Sequence, residues 1–312
     1  MQVVFELSKE HPTLPVAEVR GCIGSYHENY EEIYHNGIYI ADMDERYIKK
    51  ICSRLAMSFS INKFIGIGIE SLKNLKIKGT FKVEGGRSIQ RKKIGTEIVK
   101  NLGLKAEMKN PENVVKIFAE RGEIMITEEI CRINRSQFEE RRASKWPFPL
   151  PTAMHPRIAR TLVNLSGIKD GNTLLDPFCG AGGILIDGGF IGCRVKGVEI
   201  KKDAAIGCEK NLKHYGIEDY EIMTGDMREF DLSGVDAVVT DFPYGRSSHL
   251  SDKMEKLYEE AIEKIADWTS KAVIGMPSLD FLPLVENYFD VVAIHPARVH
   301  KSLTRFFYIL RK

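Results

Sequence analysis

The chain has 312 residues, 43 % hydrophobic and 28 % charged, a size that suits about two domains of roughly 150 residues and a composition that excludes a disordered or fibrous chain. The apolar run 177–186 is closed by Asp176 and Asp187, far short of the roughly 18 residues of a membrane span. The start Met1-Gln-Val-Val-Phe-Glu-Leu-Ser lacks the basic, apolar and small-residue succession of an export signal, so a cytoplasmic protein is expected.

Alternation of apolar and polar residues predicts short strands at 3–7, 37–41 and 58–66, with helices at 14–22 and 44–56 between them. This reads as a small α+β unit over 1–70. A second piece, 71–145, carries strand-like runs at 80–83, 114–119 and 123–127, a helical pattern at 96–102 and a turn at Asn110-Pro111. Pro147, Pro149 and Pro151 then punctuate a linker, 146–156, because successive prolines remove backbone donors and resist helix. Beyond it the rhythm is strictly alternating. Strands at 173–175, 195–199, 220–223, 237–240 and 272–275 are interleaved with helices at 184–190, 203–215 and 254–266, the pattern of a doubly wound parallel sheet over 157–312. Runs at 291–294 and 305–310 add a terminal antiparallel pair.

The formal charge of +2 hides an uneven distribution. Residues 1–45 hold 2 basic and 9 acidic side chains, 46–110 hold 16 and 4, 111–145 hold 7 of each, and 146–312 hold 20 and 23. The positive charge is concentrated in one window. There Lys82, Arg87, Arg91, Lys92 and Lys93 crowd around Gly85-Gly86, which suits phosphate contacts as well as a plain solvated face. Six cysteines (Cys22, Cys52, Cys131, Cys179, Cys193, Cys208) form no Cys-x-x-Cys pair. They are expected to be reduced and mostly buried, and no metal site is expected.

The chemistry-bearing motifs follow the predicted strands of the second half. Asp176-Pro-Phe-Cys-Gly-Ala-Gly-Gly183 lies between the first of these strands and its helix, where Gly180 and Gly182 let backbone amides approach a ligand at the sheet's carboxyl edge. The third glycine of a dinucleotide fingerprint is replaced by Leu185, which disfavours nicotinamide or flavin. Glu199 ends the next strand, where a carboxylate accepts two ribose hydroxyls; an exposed strand-end charge is the bland alternative. Asp226 follows the third strand and suits an adenine amino group or a helix N-cap. Three such features at successive strand ends favour a nucleoside-bearing cofactor.

After the fourth strand comes Thr240-Asp-Phe-Pro-Tyr-Gly-Arg-Ser247. An exocyclic amine on a base is a poor nucleophile because its lone pair is delocalised into the ring. Asp241 and the rigid carbonyl of Phe242, fixed by Pro243, can accept the two amine protons, and Tyr244 can stack on the base. A base taken out of its helix costs a few kcal/mol, part of which an aromatic face returns. No cysteine lies in this motif, and Cys179 is read as packing rather than nucleophile.

These motifs resemble those of class I S-adenosylmethionine-dependent methyltransferases acting on exocyclic amines. Together with Met154-His-Pro-Arg-Ile-Ala-Arg-Thr-Leu-Val-Asn-Leu165, they resemble the archaeal tRNA guanosine-10 N2-methyltransferases, which join such a domain to a ferredoxin-like domain and a THUMP domain. The resemblance implies a ferredoxin-like unit over 1–70, a THUMP tRNA-binding unit over 71–145 and catalysis over 157–312. It implies that Asp176, Phe178, Gly180, Gly182, Glu199, Asp226, Met227 and Asp241 hold S-adenosylmethionine, with His155, Pro156 and Arg157 completing the pocket. Asp241, Phe242, Pro243 and Tyr244 hold the guanine, and Lys82, Arg87, Arg91, Lys92, Lys93 and Arg246 meet tRNA. The family pattern is Asp-Pro-Pro-Tyr; Phe242 stands for the first proline, and its bulk is expected to bear on target fit. Another tRNA guanosine such as position 6, an adenine- or cytosine-directed DNA methyltransferase, and a tRNA-binding module with a degenerate cofactor pocket are the competing readings. A monomer adding one or two methyl groups is the reading adopted.

Overall fold

A computed structural model describes residues 1–27, 29–120, 122–244, 252–300 and 303–312. In chain order it contains β1 (Gln2–Leu7), α1 (Leu14–Gly24), β2 (Glu32–His35), β3 (Ile38–Asp42), α2 (Glu45–Arg54), β4 (Ser58–Ile67), β5 (Thr80–Gly85), α3 (Ser88–Leu102), β6 (Lys105–Ala106), β7 (Asn113–Glu120), β8 (Glu123–Arg132) and α4 (Ser136–Glu140). There follow α5 (Pro156–Leu165), β9 (Thr173–Asp176), α6 (Gly183–Ile191), β10 (Arg194–Glu199), α7 (Lys202–His214), β11 (Tyr220–Thr224), β12 (Ala237–Asp241), α8 (Asp252–Trp268), β13 (Lys271–Met276), α9 (Leu282–Glu286), β14 (Asp290–His300) and β15 (Leu303–Arg311). No described helix is long and apolar enough to cross a membrane.

Contacts divide the chain into two units. The first comprises Met1–Lys9, Asn29–Ser53 and Ser58–Asn134. Its mixed sheet has the order β2-β3-β1-β4-β8-β7-β5-β6, so β4, from the first predicted piece, pairs with β8, from the second. One face of its β5–β7–β8 portion buries Phe81, Val115, Ile117 and Ile126 against Ile94 and Ile98 of α3. Charges populate other positions. The ammonium of Lys116 lies 2.7 Å from Glu6 and 2.9 Å from Glu129, and Arg132 pairs with Glu129 and Glu84. Lys116 and Glu129 are both largely buried, so removing either leaves an uncompensated charge.

Cys52 and Cys131 are joined in a disulfide within this unit, which corrects the expectation that all six cysteines are reduced. They lie 79 residues apart; α2 and β8 bring them together, and no local spacing records that. The other four cysteines are buried and free.

The second unit comprises Glu10–Glu28, Arg54–Met57 and Arg135–Lys312. Its sheet has the order β11-β10-β9-β12-β13-β15-β14. The first five strands are parallel and β15 is antiparallel to both neighbours, the α/β sheet with terminal pair that the sequence pattern predicts. Two apolar layers cover its faces. Val239, Val273, Phe307 and Ile309 pack with α5, α6 and Leu14 of α1 on one side; Val238, Ile274, Tyr308 and Leu310 pack with α8 and α9 on the other. The alternation of odd and even positions is the period of a strand with both faces buried.

Glu18 ties the early segments into this unit. Its carboxylate accepts from the amides of Ala56 and Met57 at 2.9 and 2.8 Å and from Asn164 Nδ2 at 2.9 Å. The proline-punctuated stretch also packs here. Trp146 is 6 % exposed, and the amide and carbonyl of Phe148 are both bound by the side chain of Asn211 on α7. The contact division falls between Asn134 and Arg135, and Trp146 and Phe148, on either side of Pro147, pack against the apolar layer of the second unit.

Candidate active site

In the second unit the carboxyl ends of β9, β10 and β12 carry the residues singled out by sequence. Asp176, the last residue of β9, is 2 % exposed. Its Oδ1 accepts from Thr240 Oγ1 at 2.6 Å and from the Phe178 amide at 3.1 Å. Burial pushes its carboxyl up to about 7 against those two hydrogen bonds.

Glu199 ends β10 one strand over. Its Oε2 accepts from the Gly180 amide at 3.0 Å and its Oε1 from the Lys201 amide at 2.8 Å, so the carboxylate fastens the glycine loop to β10. The loop is held from below as well: Asn211 Nδ2 donates to the Ala181 carbonyl at 2.9 Å. Gly182 has φ +90°, and a Cβ there would lie 2.7 Å from Cys208 Sγ. Only glycine meets both demands. Cys179 is buried against this layer, its thiol raised well above its ordinary range first by the neighbouring Cys208 and then by burial. That is packing, as the sequence suggested.

Asp226 caps the turn formed by Met227–Glu229. It accepts from the Arg228 amide at 3.0 Å and pairs with the Arg228 guanidinium at 2.6 Å, which holds its carboxyl below the usual range. Met227 beneath it is 2 % exposed.

Asp241 ends β12, and the structure gives it partners that sequence reasoning missed. Arg305 of β15 places Nη2 2.8 Å from Asp241 Oδ2. Tyr244 donates its hydroxyl to Asp241 Oδ1 at 2.6 Å. Arg305 Nε donates to the same hydroxyl at 3.2 Å, and its guanidinium carbon stands 5.1 Å from the centre of the Tyr244 ring. Burial pushes Asp241 up to about 6, opposed by Arg305 and Tyr244.

Phe242 is 0 % exposed. Its ring lies 5.1 Å from both Phe178 and Tyr258, and its amide donates to the Gly275 carbonyl at 3.0 Å. The bulk that the sequence raised as a matter of target fit is therefore spent in the core. The Pro243 carbonyl is engaged by the Tyr258 hydroxyl.

His155 to Arg157 lie elsewhere in the second unit. His155 caps α5 by accepting from the Arg157 amide at 3.1 Å, its Nε2 stands 3.1 Å from Glu139, and burial lowers its pKa. Pro156 is the first residue of α5. His155 and Arg157 line a cleft of about 490 Å³ with Glu10, Glu139, Arg142 and Arg298; Asp176, Gly180 and Glu199 are not among its walls. Of the basic residues in the first unit, Lys82 pairs with Glu84 at 3.0 Å. Arg91 Nη1 donates to the carbonyls of Gly85 and Gly86, and Arg87, Lys92 and Lys93 are exposed. Arg246 lies outside the described residues. Among the described residues no group of three or more His, Cys, Asp or Glu side chains is placed to hold a metal.

Comparison with known proteins places this geometry. The RMKL-like methyltransferase domain family matches residues 144–306. Over 336 aligned residues, and 100 % of both chains, the protein is 33 % identical to a tRNA (guanine(10)-N2)-dimethyltransferase of Methanothermobacter thermautotrophicus. The chain belongs to the archaeal tRNA (guanine(10)-N2)-dimethyltransferase family. A second member, from Pyrococcus abyssi and of the same name, is 35 % identical over 75 % of this chain and 74 % of its own. The fold is shared with SMU.472, a protein solved with S-adenosylhomocysteine, at TM-score 0.55 and 14 % identity over 100 % of this chain and 98 % of that one. TrmN of Thermus thermophilus aligns at 0.53 and 15 % over 100 % of both chains. These two likenesses speak to the fold, a class I methyltransferase sheet, and the family membership makes the protein a methyltransferase.

Proposed function

We propose that the protein transfers a methyl group from S-adenosylmethionine to the exocyclic N2 of guanosine 10 in tRNA, forming N2-methylguanosine and, on a second turnover, N2,N2-dimethylguanosine. One observation carries this reading: Asp241-Phe-Pro-Tyr244 stands at the end of β12 with Asp241 largely buried beside the Tyr244 ring, in a chain whose full-length relative bears that name.

The donor set suits the cofactor. Glu199, fixed to the Gly180 amide, retains lone pairs for a ribose diol; Asp176 offers a buried carboxylate to the cationic end; Asp226 and Met227 flank the adenine; and Gly182, where a Cβ would meet Cys208 Sγ, lets the loop pack closely on α7. Phe178, packed on Phe242, fixes the loop floor, while His155 and Pro156 cap the start of α5. When bound, S-adenosylmethionine supplies an electrophilic methyl group. The protein supplies the rest. Asp241 and the Phe242 carbonyl accept the N2 protons, which localises the nitrogen lone pair, and Asp241 takes the proton that N2 sheds once methylated. Tyr244 holds the base plane.

The first unit, read as ferredoxin-like and THUMP elements, meets tRNA through Lys82, Arg87, Lys92 and Lys93, with Arg91 shaping the Gly85-Gly86 loop; Arg246, which follows the Tyr244 motif in sequence, is assigned to tRNA as well. The protein is assigned to the cytoplasm and to tRNA processing. Methyl transfer from labelled S-adenosylmethionine to an unmodified tRNA transcript, with the product nucleoside mapped by mass spectrometry, tests this. Label in N2-methylguanosine at position 10 is expected; label at another guanosine, or in DNA only, overturns the target.

A further inference from the structure

The guanidinium of Arg305 covers both surfaces that the proposed reaction offers to its target base. It binds the carboxylate of Asp241 at 2.8 Å, donates to the hydroxyl of Tyr244 at 3.2 Å, and lies over that ring at 5.1 Å. Guanine carries the same fragment. Its C2 is bonded to N1, N2 and N3, and its N1–H and N2–H donors form one planar edge, as a guanidinium does. We propose that Arg305 is a built-in surrogate for the guanine edge, filling the base position of the RNA-free site and giving it up when the target enters. This inference rests on the proposed guanine-N2 reaction.

The side chain of Arg305 suits such an exchange. Arg305 reaches Asp241 from the start of β15 on a long side chain with several rotatable bonds, so it can withdraw without moving the sheet. Its departure also changes the carboxylate. Asp241 faces Arg305 from β15, Tyr244 from its own motif, Asp176 from β9 and Tyr258 from α8. Arg305 is the cation in that set. While it is paired, the carboxylate is stabilised as an ion and is a weak proton acceptor. Replacing it by a neutral base leaves a buried carboxylate beside another acid, which raises its proton affinity as N2 must lose a proton.

The exchange also selects the base. Adenine and cytosine each present one amino group beside an unprotonated ring nitrogen, which faces a carboxylate with a lone pair. Guanine alone offers two adjacent donors, matching the two that the guanidinium directs to Asp241 Oδ2 and to the Tyr244 hydroxyl. A site whose resting occupant is a donor fork thus discriminates by the donor pattern that displaces it.

The test uses the full chain, S-adenosylmethionine and an unmodified tRNA transcript. Arg305→Ala is expected to lower the apparent KM for tRNA at least threefold, and millimolar methylguanidinium to raise it again in competition with tRNA. Wild type should not respond to methylguanidinium. Independently of turnover, calorimetry should show guanosine monophosphate binding Arg305→Ala at least threefold more tightly than wild type, and adenosine monophosphate binding both alike. If the alanine variant does not fold, Arg305→Gln carries the same comparison. Loss of transfer that methylguanidinium restores overturns the surrogate, because the guanidinium is then needed in the reacting complex. Equal binding of guanosine monophosphate by variant and wild type overturns it as well. A wild type that leaves guanosine 10 unmethylated, with the nucleotide difference intact, removes the tRNA target and spares the surrogate.

Discussion

Gly275 of β13 leaves the space that the carboxylate of Asp241 fills. The two residues are partners in the parallel ladder, and a Cβ at Gly275 would lie 2.5 Å from Asp241 Oδ1 and 3.3 Å from the Phe307 ring. Oδ1 is also the oxygen that accepts from Tyr244, so it cannot move without breaking that bond. Gly275→Ala is therefore expected to lower kcat roughly a hundredfold, the scale of a misplacement of about 1 Å at a reacting centre. Affinity for S-adenosylmethionine should stay within about twofold, since the glycine loop is untouched. Single-turnover kinetics with calorimetry checks both; wild-type turnover would show that the Asp241 geometry does not matter.

Two raised carboxyls give the protein a pH signature of definite sign. Asp241, pushed up to about 6 in the RNA-free site, works as the ion, so kcat/KM for tRNA should fall as pH drops through about 6 and level off above it. Stability runs the other way. Asp176 is raised to about 7 by burial, so the folded state holds its proton more tightly than the unfolded chain does. The contribution is complete below the unfolded value near 4 and is lost as pH rises through about 7. Asp176→Asn keeps an oxygen for Thr240 and Phe178 but cannot ionise. Urea denaturation at pH 5 and pH 8 should show wild type losing stability relative to the variant over that interval.

Much of the second unit was legible because the central strands β9, β12 and β13 are almost wholly buried and the strands β9 to β12 lead into loops with a chemical signature. Asp176, Glu199, Asp226 and Asp241 could be placed at strand ends from spacing alone. Arg305 could not, since it lies 61 residues beyond Tyr244 and only the antiparallel return of β15 beside β13 brings it back. Gly275 was hidden for the same reason. In the first unit, α3 begins at Ser88, eight residues before the predicted start. Its first turns hold Arg91, Lys92, Lys93 and Gly95, and Ile94 and Ile98 are its buried residues, too sparse an apolar stripe to read. β2 was missed because Ile33 and Tyr34 are exposed on an edge strand, where no core imposes alternation.

The disulfide supplies a separate test of the first unit. Cys52–Cys131 closes a loop of 79 residues, for which the loss of chain entropy in the unfolded state corresponds to about 4 kcal/mol. Cys131→Ser, or reductant added to wild type, should lower the thermal midpoint of that unit. The midpoint of Cys131→Ser should in turn be insensitive to reductant. A wild type indifferent to reductant in calorimetry would refute the contribution.

The basic loop of the first unit separates into structural and exposed charges. Arg91 holds the Gly85 and Gly86 carbonyls, so changing it alters the turn as well as the charge. Lys92→Glu with Lys93→Glu changes exposed side chains only. The pair should weaken tRNA binding and reduce the steepness of its salt dependence by about two to four counterions' worth. Filter binding between low and moderate salt reads this, and an unaltered slope would move the RNA contact away from α3.

Phe242 stands where the family pattern has proline, and restoring that proline should harm this protein. The aromatic ring is fully buried between Phe178 and Tyr258, and the amide donates to the Gly275 carbonyl. Phe242→Pro deletes most of the ring volume and removes the donor, leaving a cavity and an unpaired carbonyl in the layer that supports Asp241. The expected loss is about 3–5 kcal/mol, the range for emptying a buried phenylalanine site. Phe242→Leu keeps the amide and most of the packing and should cost about half as much. Denaturant midpoints rank the three proteins. A proline variant as stable as wild type would mean that the core around Tyr258 closes over the gap, and Phe242 would then be a replaceable filler rather than the support beneath the base-binding motif.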